Sequence, residues 1–374
     1  MEGVRGGMNI YQKALEERKK QHLLRALPIL PEGIDFYSND YLGLAQSQSL
    51  SLAIEEECRN APKLNGATGS RLLSGNSEYA EQVEKEIAEF HKAESALIYA
   101  SGYMANVGLI SSLAVKDTTL ICDELIHASL IDGVRLGHAK KLRFKHNNLQ
   151  DLEERLEKTG GQKIVLVESV YSMDGDTCPI KGISDLCKKQ DALLIVDEAH
   201  AVGIYGEVGE GLVQSLGLEN QVFARIFTYG KAPGIHGGAV VGPSWLKEYQ
   251  VNFSRSMIFS TAPSNHHFAS IAAMYKYLSK CGADRNQLKE IIQYFKKNRN
   301  PSNGQWLDSG TQIQSLIVPG NKEVVQTAEK LKDAGINALP IRRPSVAEGS
   351  ERIRFCLHSY NTKEEIDLLF ETLK

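Results

Sequence analysis

Lys163-Ile164-Val165-Leu166-Val167-Glu168, a helical pattern over residues 183–189, then Ala192-Leu193-Leu194-Ile195-Val196-Asp197: this run decides the fold class. Both apolar stretches are unbroken, as in strands covered on both faces rather than half exposed. Two such strands joined through a helix form a parallel crossover unit. Outward from it the alternation repeats. Strand-like runs stand at Ala96 to Ala100, Thr119 to Cys122, Val222 to Thr228 and Gly238 to Val241, with helical patterns near 78–91, 104–114, 128–137 and 150–158. The expected fold is α/β, a mostly parallel, doubly wound sheet between helices.

Residues 9–30 read as an amphipathic helix ending near Pro28, and residues 34–45 as an extended arm that must pack on something larger. A helix through 264–280 leads to a polar stretch, Asn298 to Gly304. Gln314 to Val318, a helix near 322–334 and Arg352 to Leu357 then suggest a small α+β C-terminal unit. The expected division is an arm over 1–45, a large domain over 46–280 and a small domain over 281–374, since single cores rarely grow far beyond about 250 residues.

Composition narrows the function. Of 374 residues, 42% are hydrophobic and 24% charged, ordinary globular usage. A net charge of −3 speaks against a nucleic-acid partner, and Arg18-Lys19-Lys20 follows Glu16 and Glu17 as a solvated helix face would. The six cysteines lack a C-x-x-C pair, the usage of a reduced cytoplasmic protein. Neither an export signal between Met1 and Met8 nor a membrane span is expected, and the sequence leaves Met1 and Met8 both open as starts.

In open α/β sheets ligands gather at the carboxyl ends of the strands. Four such ends carry polar groups. Ser101-Gly102-Tyr103 begins a helix, offering free N–H groups to a phosphate. Glu168 to Ser172, Asp197-Glu198-Ala199-His200 and Thr228-Tyr229-Gly230-Lys231 follow three more strands. A lysine in a dry crevice is costly as an ammonium, but an aldehyde removes the charge by forming an imine. Asp197, at a neighbouring strand end, could keep a pyridine nitrogen protonated and make such a ring an electron sink. Three other patterns are set aside. Asp197-Glu198-Ala199-His200 spells a helicase box without a phosphate-binding loop, Gly206, Gly209 and Gly211 have the wrong order for a dinucleotide loop, and His266-His267 lacks metal-ligand spacing.

The motifs Ser38-Asn39-Asp40-Tyr41-Leu42-Gly43-Leu44, Gly69-Ser70-Arg71 with Ser74-Gly75-Asn76, Ser101-Gly102-Tyr103, His127-Ala128-Ser129, Ser172-Met173-Asp174-Gly175-Asp176, Asp197-Glu198-Ala199-His200 and Thr228-x-Gly230-Lys231, in this order, resemble the α-oxoamine synthases. That resemblance spans nearly the whole chain and implies pyridoxal 5'-phosphate (PLP) and the aminotransferase-like fold type I, with a mostly parallel seven-stranded sheet. It makes Lys231 the imine-forming lysine and Asp197 the partner of the pyridine nitrogen. It stacks His127 on the ring, where it also meets substrate, and puts His200 and Ser172 near the phenolic oxygen. Gly102, Tyr103 and Thr228 would hold the phosphate, with Ser260 or Thr261 reaching in from the second subunit of a homodimer.

Ile341-Arg342-Arg343-Pro344-Ser345-Val346, Gly349 and Arg352-Ile353-Arg354 are similar to the branch serving biotin biosynthesis, which condenses L-alanine with a pimeloyl thioester, on coenzyme A or a carrier protein, and loses carbon dioxide. That branch more often has Pro at position 343 and Thr at 345. Arg342 is the candidate for the amino acid's carboxylate, with Arg354 as competitor. Asn39 and Ser345 would line the pocket, and Arg25 would lie near the acyl chain. Alternatives within the resemblance are glycine C-acetyltransferase or serine palmitoyltransferase chemistry, and, more distantly, a PLP-binding protein without turnover. The segment between Lys297 and Trp306 is short and could alter access to the acyl channel.

Overall fold

The computed structural model describes residues 9–29, 31–300 and 304–374, so both candidate starts, Met1 and Met8, and part of the polar stretch after Asn298 lie outside the described residues. Strands are numbered in chain order. The larger sheet contains β2 (Ser95–Tyr99), β3 (Thr118–Asp123), β4 (Lys140–Phe144), β5 (Gln162–Glu168), β6 (Ala192–Asp197), β7 (Ala224–Thr228) and β8 (Gly238–Gly242). Their spatial order is β2-β8-β7-β6-β5-β3-β4. Every pairing from β7 across to β4 is parallel, and β8 alone runs antiparallel to its neighbours β7 and β2. This is the mostly parallel seven-stranded sheet expected.

The reason lies in the run quoted first. Val165, Leu166, Val167 and Val196 are fully buried, and such burial contributes roughly 1.5–3 kcal/mol per large aliphatic side chain. The connecting helix, Ile180–Lys189, turns Ile180, Ile183 and Cys187 onto the sheet and leaves Lys181, Lys188 and Lys189 in water, the spacing of one helical face. Glu168 and Asp197 stand opposite each other in register at the ends of β5 and β6. The sheet thereby delivers two carboxylates side by side to one crevice.

The second sheet has the order β1-β11-β12-β10-β9, from β1 (Ile34–Phe36), β9 (Gln305–Trp306), β10 (Ile313–Ile317), β11 (Ile336–Ile341) and β12 (Arg352–Cys356). The arm enters it directly, because β1 pairs in parallel with β11, Ile34 opposite Ile336. A single cluster of buried apolar side chains then runs from Phe36, Tyr41 and Leu44 through Phe227 and Phe268 to Phe355. At Gly234, φ is +69° and a Cβ would collide with the backbone of Leu44 and Ala45, so the arm lies against the turn that carries Lys231.

Several elements differ from expectation, strands β9 and β11 among those not anticipated. The first helix covers only Ile10–Lys20, not residues 9–30. None of its residues is buried, so no packing prolongs it, and His22 takes a positive φ of 55°. Contacts to the C-terminal part of the chain capture the next residues: Asn321 Nδ2, at the start of helix Asn321–Asp333, donates to Gln21 O, and Arg342 Nη1, just past β11, donates to His22 O at 2.6 Å. Strand β4 escaped notice because Lys140, Lys141 and Arg143 are exposed on an edge, which hides the apolar pattern. Helices Gln48–Asn60, Ser244–Phe253, Gly282–Asn298 and Lys363–Thr372 were also not anticipated.

Candidate active site at the carboxyl ends of the strands

Lys231 lies just past β7 and His200 just past β6, and their adjacency in the sheet brings Lys231 Nζ within 2.7 Å of His200 Nε2. Burial lowers the lysine's pKa to about 8, against the opposing pull of Asp197 and Glu168. Burial, then the charges of Lys231 and Arg354, hold His200 well below the ordinary imidazole value, so it is neutral. The Tyr41 hydroxyl, fully buried, donates to Asn39 Oδ1 at 3.0 Å and sits 2.8 Å from His200 Nδ1. With that hydroxyl proton committed to Asn39, Nδ1 must donate to Tyr41 and Nε2 is left to accept from the ammonium of Lys231. Gln312 Nε2 fixes the His200 carbonyl from below at 2.8 Å.

Asp197 is 3% exposed. Its Oδ2 accepts from Asn106 Nδ2 at 2.8 Å and its Oδ1 from the Ala199 amide at 2.9 Å, while the same Asn106 amide donates to Ser129 Oγ. Each carboxylate oxygen retains a lone pair for one more donor. Beside it Glu168 is as deeply buried, and its Oε1 has no partner. Burial, then Asp197, raises the Glu168 pKa well above the ordinary carboxylate range. His127 caps helix Ala128–Leu136, with Nδ1 2.7 Å from Ser129 Oγ. Its pKa falls through burial and then the positive charge of Lys231, which places its ring in the same field.

Gly102 opens helix Gly102–Leu113 and faces the end of β7 so closely that a Cβ there would overlap Thr228 Oγ1. The free N–H groups of the helix start and the threonine hydroxyl form one cradle. The Tyr103 hydroxyl beside it donates to Asp132 at 2.5 Å. Ser260 is half-buried and Thr261 exposed, with no side-chain contact tying either to this cradle among the described residues.

The two candidate arginines occupy different places. Arg354 is 5% exposed, donates from Nη1 to Ser172 O at 3.0 Å and from Nη2 to Asn39 Oδ1 at 3.1 Å, and leaves a buried Nε without an acceptor. It is near enough to Lys231 and His200 to disfavour their charged forms. Arg342 instead lines a cavity of about 500 Å³ with Arg25, Ser345 and Tyr37, and Arg25 Nη2 donates to Ser345 Oγ at 3.3 Å. Arg25 is also the charge that, with burial, lowers the pKa of Arg342.

A brace ties the site to both sheets. His146 bridges Asp123 Oδ1 at 3.0 Å and Asp176 Oδ2 at 2.7 Å. Burial disfavours its charge, but the two carboxylates prevail and hold its pKa at about 10. Asp176 ends the Ser172–Asp176 loop, whose other contacts reach the small sheet: Arg352 Nη1 to Asp174 at 2.6 Å and Ser315 Oγ to Met173 O at 2.8 Å. Glu198, by contrast, faces away and caps the helix start at Leu212 and Val213 with both oxygens, which accounts for the glycine-rich loop before it.

The chemistry of this donor set fits PLP. An open carboxylate face stands beside a primary amine of lowered pKa, and the glycine cradle admits no side chain. Sequence reasoning assigned no role to Glu168, Asn106, Tyr41 or Gln312. Asn106 left a trace, a lone amide on a mostly apolar helix, and Glu168 ends an apolar strand. Gln312 left none, because only tertiary packing brings it under His200.

A family model described as aminotransferase class I and II matches residues 31–373. An 8-amino-7-oxononanoate synthase from Emericella nidulans is 37% identical over 97% of this chain and 94% of its own length. A serine palmitoyltransferase from S. paucimobilis, solved with a PLP–myriocin aldimine, superposes with a TM-score of 0.89 at 25% identity over 98% of both chains. An 8-amino-7-oxononanoate synthase from Francisella tularensis superposes with a TM-score of 0.78 at 28% identity, over 91% of this chain and 96% of that one.

Proposed function

The chain belongs to the aminotransferase class I and II family, in its α-oxoamine synthase branch, and on that premise we propose that it condenses L-alanine with a pimeloyl thioester, releasing carbon dioxide and 8-amino-7-oxononanoate for biotin synthesis. The observation that carries this reading is the 2.7 Å contact of Lys231 Nζ with His200 beside the buried Asp197, above the Gly102–Thr228 cradle. PLP, when bound, supplies the electron sink for a carbanion at the amino acid's α-carbon.

The residues divide the remaining work. Gly102, Tyr103 and Thr228 hold the phosphate, with Ser260 or Thr261 of a second subunit completing it in a homodimer. Asp197 keeps the pyridine nitrogen protonated, and Asn106 and the Ala199 amide fix that carboxylate. His200 and Ser172 would hold the cofactor's phenolic oxygen. Lys231, with its pKa near 8, is close enough to neutrality to take the α-proton at Nζ and return it. His127 would stack on the cofactor's ring and donate to the oxyanion that develops at the thioester carbonyl. Arg354, buried beside Asn39 with an unused Nε, takes the alanine carboxylate in preference to Arg342.

Arg25, Arg342 and Ser345 line the cavity for the far end of the acyl chain. Two guanidinium groups there favour a chain ending in a carboxylate over the acetyl or palmitoyl groups of the sister activities. The division of the chain into 1–45, 46–280 and 281–374 belongs to the same reading, with the arm lending β1 to the small sheet. So does a cytoplasmic location, where six free cysteines stay reduced. Among the described residues no helix is long and apolar enough to cross a membrane.

The test is a matrix of L-alanine, glycine and L-serine against pimeloyl, acetyl and palmitoyl thioesters, read by carbon dioxide release. Alanine with the pimeloyl thioester should exceed every other pair. Silence with alanine, or a preference for the palmitoyl chain, overturns the assignment.

A further inference from the structure

A second cavity, of about 780 Å³, lies between the turn over 204–207 that follows His200 and helix Gly282–Asn298, with Gly310 and Gln312, just before β10, completing its wall. It shares no lining residue with the cavity of Arg25 and Arg342. Its size is that of an ordinary small-molecule site, which typically occupies about 300–1,000 Å³.

The helix explains the lining. Leu288, Ile291 and Phe295 are buried on one side, and the neighbouring stripe Lys289, Ile292, Gln293 and Lys296, spaced i, i+3, i+4 and i+7, faces the cavity. Ile204, Tyr205, Leu288 and Ile292 supply an apolar wall. Lys289 and Lys296 are exposed at its rim and make no ion pair among the described residues. Arg285, which donates to Leu278 O at 2.9 Å and Glu207 O at 2.6 Å, adds a third positive charge. Among the described residues that line the cavity, Glu207 is the one acid.

Two polar groups in this wall lack partners. Gln312 is 0% exposed, and while its Nε2 donates to the His200 carbonyl at 2.8 Å, its Oε1 accepts from nothing. The Tyr205 hydroxyl makes no hydrogen bond among the described residues, and burial, then Glu198, pushes its pKa up to about 12, so it keeps its proton. A tie between β10 and the His200 turn needs only the N–H of Gln312. The idle carbonyl is an acceptor that a bound donor would satisfy.

Gln312 also stands between this cavity and the active site. Its side chain lies at the Tyr41 hydroxyl as well as on the His200 carbonyl, Tyr41 meets His200 Nδ1 at 2.8 Å, and His200 Nε2 meets Lys231 Nζ at 2.7 Å. A donor on Gln312 Oε1 polarises the amide and strengthens its N–H bond. Occupancy of the cavity is therefore felt at the ring beside Lys231, which is what couples two sites.

We propose that this cavity is an effector site for a medium-chain carboxylic acid bearing an O–H or N–H donor at its far end. The carboxylate meets Lys289 and Lys296, the chain lies on Ile204 and Ile292, the donor reaches Gln312 Oε1, and binding is transmitted through His200 to Lys231.

Isothermal titration of the PLP-loaded enzyme with 8-hydroxyoctanoate tests this, with octanoate and 1,8-octanediol for comparison. One saturable equivalent per chain is expected, with octanoate about fivefold weaker for want of the donor and the diol at least about tenfold weaker for want of the charge. K289E/K296E, on the exposed rim, should weaken binding at least about tenfold, and Ile292→Trp, which fills the cavity, should abolish it; circular dichroism and bound PLP report that both variants fold. In a pH titration of the imine absorbance, saturating 8-hydroxyoctanoate should move the midpoint by at least about 0.3 pH unit in the parent and leave K289E/K296E unmoved at the same concentration. None of these readouts depends on the condensation reading. Absence of saturable binding, equal affinity for octanoate, or a midpoint unmoved in the saturated parent overturns the proposal. So does binding that survives K289E/K296E but is lost in Arg342→Ala, which would place the ligand in the acyl cavity.

Discussion

Replacing His146 by Phe should destabilise the protein strongly at neutral pH and little at pH 10. The ring's pKa of about 10 in the fold stands above the ordinary value of 6.5 because Asp123 and Asp176 outweigh its burial. A pKa raised by folding means that the protonated ring stabilises the fold. That contribution is complete below the unfolded value of 6.5 and is lost as pH rises to about 10. At ~1.4 kcal/mol per pH unit the gap sets a ceiling of roughly 5 kcal/mol, of which about 4 kcal/mol remains at pH 7. The side chain is only 19% exposed, so solvent screens little of this, and breaking a buried charged pair typically costs about 3–5 kcal/mol. Urea unfolding of parent and H146F at pH 6, 7, 8.5 and 10, followed by far-UV circular dichroism, measures it. The midpoints should lie furthest apart at pH 6 and converge by pH 10. A constant separation would mean that the ring acts through packing against Tyr171. A separation under about 1 kcal/mol at pH 6 would refute the clamp altogether.

Three further outcomes follow from the site. Borohydride treatment of the PLP-loaded enzyme should fix the cofactor to the peptide containing Lys231, and K231A should show neither the adduct nor the imine absorbance; an adduct elsewhere would dissolve the mechanism. Asn106→Ala removes one donor to Asp197 and should weaken PLP binding by roughly 10–100-fold, the equivalent of about 1.5–3 kcal/mol for a bond to a charged group, read by fluorescence titration of the apoenzyme. Arg354→Lys should raise KM for alanine with little effect on the thioester KM, and Arg342→Ala the reverse, since the two side chains serve different cavities; the opposite split would return the carboxylate to Arg342.

Much of this was legible without coordinates, and for identifiable reasons. Runs such as Ile164 to Val167 and Leu193 to Val196 admit few environments other than a doubly covered sheet, so the parallel core and the rule that ligands meet at its strand ends followed from pattern alone. Lys231 and Asp197 were visible because each is a charge placed where an apolar run stops. What the sequence alone determined is therefore local: which strands are buried and which strand ends carry a nucleophile, an acid or a glycine.

The tertiary structure decided everything that depends on which elements are neighbours. The order β7-β6-β5-β3 puts Lys231 against His200 and Glu168 against Asp197, though no spacing along the chain says so. Packing of the arm against β11 brings Tyr41 and Asn39 to His200 and Arg354. The same contacts separate Arg354, inside, from Arg342, in the outer cavity, although only twelve positions divide them. The first helix stops at Lys20 for want of a packing surface, and the cations of β4 face water because that strand falls at the sheet's edge. Local pattern records what a residue must bury. Which partner meets it there is a property of the folded topology, whose contacts join residues far apart in the chain.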